Sequence, residues 1–129
     1  MSVSGLDHVN IVTTDIAGTR QFYCDLLELK IAETPMLPAG MVVNWLADSA
    51  GRPIIHLQQF NPERHGAEPR TGPTGAVDHV ALECQDFDAV AARCEERGVP
   101  FRTNLVGSMF SQIFVTDPNG VLLELNFRH

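Results

Sequence analysis

The sequence has no long hydrophobic run, no basic stripe and no paired cysteines, and each absence closes off a class of function. No apolar segment approaches the roughly 20 residues that a membrane-spanning helix needs, so no membrane partner is expected. The opening Met1-Ser2-Val3-Ser4-Gly5 has neither a basic region nor an apolar core, and no secretory signal is expected. Nine Lys and Arg stand against sixteen Asp and Glu, a net charge of −7. A nucleic-acid backbone is held by clustered cations, so no nucleic-acid partner is expected. Cys24, Cys84 and Cys94 are odd in number and match no disulfide or metal spacing. They read as buried free thiols in a reducing cytoplasm.

What remains is an ordinary globular composition, 44% hydrophobic and 19% charged. Its 129 residues suffice for one domain with a real core and not for two independent ones. Within it the chain says one thing twice. Gly75-Ala76-Val77-Asp78-His79-Val80-Ala81-Leu82-Glu83-Cys84-Gln85-Asp86 reads as a short apolar strand with a histidine near its start and an aspartate past its end. Leu6-Asp7-His8-Val9-Asn10-Ile11-Val12-Thr13-Thr14-Asp15 has the same triplet, strand and aspartate, displaced by a constant 71 residues from His8 to His79.

Each copy opens the same series of elements. Alternation over Leu6 to Thr13 puts His8, Asn10 and Val12 on one face and Val9, Ile11 and Thr13 on the other. Asp15 reads as a helix N-cap, with Ile16, Phe22, Tyr23, Leu26 and Leu27 at helical spacing and an end near Leu29 or Lys30. Strands are expected over Ile31 to Pro35, Met41 to Ala47 and Pro53 to Phe60, with a turn at Asp48-Ser49-Ala50-Gly51. Asn61 to Gly75, with three prolines, reads as a linker. The second copy then follows: Asp86 as N-cap, a helix with Phe87, Val90, Ala91 and Cys94, Gly98 as its stop, and strands over Phe101 to Val106, Met109 to Thr116 and Val121 to Phe127. Asp117-Pro118-Asn119-Gly120 is a tight turn. The expected class is α+β. Two βαβββ modules, about 5–60 and 76–129, would each bury one sheet face against helices and turn the other toward a shared cleft.

The last strands of the two halves align as Ile54-Ile55-His56-Leu57 and Leu122-Leu123-Glu124-Leu125. Each puts one metal-capable residue in an apolar strand. A carboxylate among Leu122, Leu123, Leu125 and Phe127 is costly unless it is paired, hydrogen-bonded or metal-bound. His8, His56, His79 and Glu124 thus lie at symmetry-related positions and would converge if the halves pair about a pseudo-twofold axis. Imidazole and carboxylate suit Zn, Ni, Fe, Co or Mn as divalent ions, and four protein ligands leave a position open for catalysis.

These pieces, with Phe22-Tyr23-Cys24-Asp25-Leu26-Leu27-Glu28-Leu29 and the closing Asp117-Pro118-Asn119-Gly120…Glu124 segment, resemble the vicinal oxygen chelate superfamily of glyoxalases, bleomycin-resistance proteins and extradiol dioxygenases. The resemblance spans essentially the whole chain. It implies paired βαβββ modules forming a curved mixed sheet around a metal cleft, ligands at His8, His56, His79 and Glu124, a small-molecule substrate and a homodimer. The implied chemistry is chelation of vicinal oxygens and stabilisation of an enolate-type intermediate, as in an isomerase or lyase, with Glu124 as base and Glu83 as second choice. Glyoxalase I carries a carboxylate where this chain has His56. If His56 turns away, Gln58 substitutes or a His₂Glu triad remains, and a ferrous dioxygenase becomes the alternative. A metal-free, bleomycin-resistance-type binding protein is the other. Asn10 is a candidate to orient substrate. Arg64, His65 and Arg70 in the linker are candidates to receive an anionic tail, against a solvated loop.

Overall fold

The sequence repeat is also a repeat of structure. A computed structural model describes residues 2–106 and 109–128. The chain divides into two compact units, Met1–Arg70 and Thr71–His129. The first contains β1 (Val9–Thr13), α1 (Ile16–Leu27), β2 (Lys30–Ala32), β3 (Val43–Ala47), β4 (Pro53–Gln59) and the one-turn helix α2 (Pro62–His65). The second contains β5 (Val80–Cys84), α3 (Phe87–Glu96), β6 (Phe101–Val106), β7 (Phe110–Thr116) and β8 (Leu122–Arg128).

Each unit holds a four-stranded mixed sheet, ordered β1-β4-β3-β2 in one and β5-β8-β7-β6 in the other. In both, the first strand runs parallel to the last and the other pairings are antiparallel. This is the βαβββ module read from the sequence. Ile11, Leu46, Ile55 and Leu57 are buried, as are Tyr23 and Leu26 of α1, which packs on β3 and β4. Buried Thr13 and Thr19 satisfy each other through a 3.0 Å hydroxyl hydrogen bond. In the second unit Ile113, Val115, Leu123, Leu125 and Phe127 are buried with Val90 and Cys94 of α3.

Asp15 and Asp86 cap their helices as expected, accepting from Gly18 N and Ala89 N at 2.9 and 3.2 Å. The closing turns are also alike. Asp48 Oδ1 accepts from Ala50 N and Arg52 N, and Asp117 Oδ1 from Asn119 N and Val121 N. Gly120 has a left-handed φ of 87°, and a Cβ there would lie 2.5 Å from the Gly72 backbone.

Several boundaries differ from expectation. The first strand begins at Val9, so His8 precedes it, as His79 precedes β5. Helix α1 ends at Leu27 because Glu28 turns left-handed, with φ 58°. Residues 33–35, 41 and 42 lie outside the strands, and the presumed linker contains α2, capped by Asn61. All three cysteines are free thiols, but Cys94 alone is fully buried; Cys24 and Cys84 are half-buried. Among the described residues no helix is long and apolar enough to cross a membrane.

Candidate functional site

Strand register places His56 and Glu124 each on one sheet face of its unit, and His8 and His79, just before β1 and β5, come close to them. In the first unit, β1 pairs Asn10 with His56, and β3 pairs Trp45 with His56. The three side chains therefore share the face opposite α1. Buried His56 is the middle of a ring stack. Its centroid lies 4.4 Å from that of Trp45 with planes 9° apart, and 3.7 Å from that of His8 with planes 15° apart. His8 Nδ1 meets Asp7 Oδ2 at 2.5 Å. Gln58 and Asn10 are spent on each other through a 3.0 Å hydrogen bond.

Burial, followed by the neighbouring His8, holds the His56 pKa below the ordinary imidazole value, with a hydrogen bond to the Pro53 backbone opposing. Proline offers only a carbonyl, so the ring donates there. His56 Nε2 is buried without a hydrogen-bond partner.

In the second unit, β8 places Glu124 opposite Ala81 on one side and Phe114 on the other. Alternation turns it away from Leu123, Leu125 and Phe127, and of the four apolar neighbours in β8 Leu122 shares its half-buried face, with Asn126. There two amides hold its carboxylate. Gln112 Nε2 donates to Glu124 Oε1 at 2.9 Å, and Asn126 Nδ2 to Oε2 at 3.1 Å. Gln112 also donates to Asn126 Oδ1 and accepts from Asn104 Nδ2, both at 2.9 Å. His79 Nε2 stands 3.6 Å from Glu124 Oε2, and its Nδ1 is 2.9 Å from Asp78 Oδ2. The hydrogen bond that His79 donates to Asp78 is the main cause that raises the His79 pKa, with Glu124 adding to it against some desolvation.

The structure thus brings His8 to His56 and His79 to Glu124, each pair inside one unit. In neither unit do three or more His, Cys, Asp or Glu side chains of the described residues cluster tightly enough to hold an ion alone. Glu83 is exposed and lies 3.5 Å from Arg128. His65 Nδ1 accepts from Asn61 N, and Arg70 donates to the His65 carbonyl, so both tie the α2 segment to itself. A shallow cleft lined by Gln85, Asp86, Phe87, Ser111 and Phe127 opens at the start of α3, off the Glu124 face.

The donors suit a divalent cation. At His8 and His79 a carboxylate faces Nδ1, an arrangement that in the neutral ring turns the lone pair to Nε2, where a metal could take it. Glu124 is held by amide N–H groups in the way ligating carboxylates are. His56 fits less readily. Planes 15° apart with centroids 3.7 Å apart meet more than about 10 Å away, whereas a metal sits about 2 Å from nitrogen in the ring plane. In this packing His8 and His56 do not bind one ion together. Trp45, Gln112 and Asn126 escaped the sequence reading; the period-two offset of Asn126 from Glu124 was the available signal for one of them.

Comparison with known proteins follows the same outline. The profile of the Glyoxalase/Bleomycin resistance protein/Dioxygenase superfamily matches residues 5–125. The chain is 30% identical over 131 residues to the uncharacterized protein YaeR of Escherichia coli (strain K12), covering 97% of both. It is 25% identical over 130 residues to an iron-dependent extradiol dioxygenase of Rhodococcus jostii (strain RHA1), taking in 93% of this chain and 42% of that enzyme. Among solved structures, the fosfomycin resistance protein FosX of Listeria monocytogenes matches with a TM-score of 0.72 at 16% identity, covering 98% of this chain and 95% of that one. A FosX mutant in complex with Mn(II) and 1S,2S-dihydroxypropylphosphonic acid matches at 0.69, again at 16% identity, over 95% and 91%. At that identity the likeness speaks for the fold.

Proposed function

The chain belongs to the glyoxalase/bleomycin resistance protein/dioxygenase superfamily, and on that footing we propose that it is a divalent-metal-dependent enzyme acting on a small substrate with two neighbouring oxygens. The observation that carries this reading is the held carboxylate: Glu124, fixed by Gln112 and Asn126, with His79 Nε2 3.6 Å away. His8, His79 and Glu124 are the residues that would hold the ion, with His56 behind His8. Zn, Ni, Fe, Co and Mn all accept such donors. When bound, the ion supplies Lewis-acid stabilisation of charge developing on the substrate oxygens. The chain's own part is proton movement. Glu124 takes a proton from the carbon beside those oxygens and returns it, which is isomerase or lyase chemistry. Gln112 and Asn126 keep its carboxylate aimed while it does so.

A second reading has its own support. With His56 in the stack, the donor set is two histidines and one carboxylate, the set ferrous oxygenases use, and one relative is an iron-dependent extradiol dioxygenase. Exposed Leu6, Ile31, Met36 and Val42 support a homodimer, to be checked by light scattering.

The test is metal reconstitution followed by two assays. Proton-transfer turnover of methylglyoxal–thiol adducts with Ni²⁺, Co²⁺ or Zn²⁺, abolished in Glu124→Gln, is the expected result. Oxygen consumption with catechols by the Fe²⁺ form favours the second reading. A metal content that His79→Ala and Glu124→Gln leave unchanged would overturn both, and wild-type protein that takes up no metal on reconstitution would leave a metal-free binding protein.

A further inference from the structure

We infer that His56 is a positioning residue, clamped between Trp45 and His8 so that its ring fixes the His8 imidazole rather than binding the ion itself. This rests on the metal-dependent reading above. Three observations converge on it, two of them within the first unit. The stack is continuous, with neighbouring rings 4.4 and 3.7 Å apart and planes within 15°. Dispersion between faces restrains His8 from rotating about its side-chain bonds, and Asp7 at Nδ1 fixes its remaining freedom. His56 is buried, and its Nε2 has no partner and no solvent. A lone pair enclosed in this way is not presented to an incoming ion.

The third observation is the comparison of equivalent positions. Registers match Trp45 and His56 of one unit with Phe114 and Glu124 of the other, and Val43 with Gln112. Where the second unit has an amide that aims a carboxylate, the first has an apolar Val43 and an indole face. The surroundings of Glu124 orient a ligand by hydrogen bonds, whereas those of His56 orient a flat ring by stacking.

Co²⁺ binding by the full chain tests this, read by calorimetry and by the visible absorption of the bound ion, which reports its ligands. His56→Phe keeps a flat ring in the stack. It is expected to bind Co²⁺ within about threefold of wild type with an unchanged spectrum. His56→Ala opens the stack and is expected to weaken binding about 10- to 100-fold, the usual effect of removing a residue that orients a ligand, with the same spectrum at saturation. Trp45→Leu shifts affinity the same way and decides the matter if His56→Ala does not fold. His8→Ala changes the spectrum itself. Should His56→Phe lose affinity and alter the spectrum as His8→Ala does, His56 is a ligand and the inference falls. Should wild-type protein bind no divalent ion, the underlying reading falls instead.

Discussion

Replacing Gln112 with leucine roughly conserves volume and removes three hydrogen bonds at once. Gln112 is 9% exposed, and its amide serves Glu124 Oε1, Asn126 Oδ1 and Asn104 Nδ2, each at 2.9 Å. A hydrogen bond to a charged group contributes about 1.5–3 kcal/mol and a neutral one about 1 kcal/mol. Asn126 still donates to Glu124, which puts the charged contribution at its low end. Gln112→Leu is therefore expected to destabilise by about 2–4 kcal/mol. Glu124→Leu removes the bond from Gln112 and the one from Asn126, relieves a half-buried charge and leaves Gln112 bonded to Asn126 and Asn104, and is expected to cost about 1.5–3 kcal/mol. The double variant no longer contains a carboxylate stripped of a donor, so its cost falls short of the sum by about 1.5–2 kcal/mol. Urea denaturation followed by circular dichroism, in EDTA to keep metal linkage out, measures the whole cycle. A coupling under about 0.5 kcal/mol would mean that the amide does not hold the carboxylate in solution, and the site reading would lose its main support.

Three further predictions follow from single observations. Gly120→Ala must adopt a left-handed φ, which costs about 1–2 kcal/mol, and must also push back the Gly72 backbone; Gly51→Ala, in the equivalent turn with open space around it, carries the first cost alone, so a lower urea midpoint for Gly120→Ala isolates the Gly72 contact. Burial pushes the Cys84 thiol up to about 11, against an opposing Arg93, so peptide-mapped iodoacetamide labelling at pH 8 is expected to run about a hundredfold slower in folded protein than in urea. Backbone N–H groups, Arg52 foremost, hold the Asp48 carboxyl below its ordinary 3.8. Because the unfolded chain then binds the proton first, this contribution is present above that value and lost as pH falls through the lower folded one; Asp48→Asn should flatten the acid limb of the stability curve in that window, and an unchanged limb would refute the assignment.

The fold was legible because its signals are local and repeated. Asp15 and Asp86 each precede a helix they cap, and alternation over Val9 to Thr13 and over β8 separates core from open face. Errors fell where tertiary context decides. Helix α1 stops early because Glu28, a poor candidate for φ 58°, accepts it there. Pro62 belongs to a stretch whose prolines suggest a linker, yet it is tolerated in the first turn of α2, where its missing N–H is not needed.

The candidate site was legible in its positions and not in its roles. The pattern treats His56 and Glu124 as equivalents because strand period and turn spacing see only that both point the same way. What differs is the residue across the ladder, and cross-strand partners are non-local. Gln112 lies twelve residues from Glu124 along the chain but hydrogen-bonds its carboxylate, while Val43 in the same relation to the first unit's last strand offers no donor. A carboxylate at position 56 would have no counterpart to the Gln112 amide to aim it and would face the Trp45 indole; a flat imidazole loses little there and gains a stacking surface. The histidine at 56 is thus consistent with its neighbours, as Glu124 is with its own: stacking holds the His8 ring in the first unit, and hydrogen bonds hold the Glu124 carboxylate in the second.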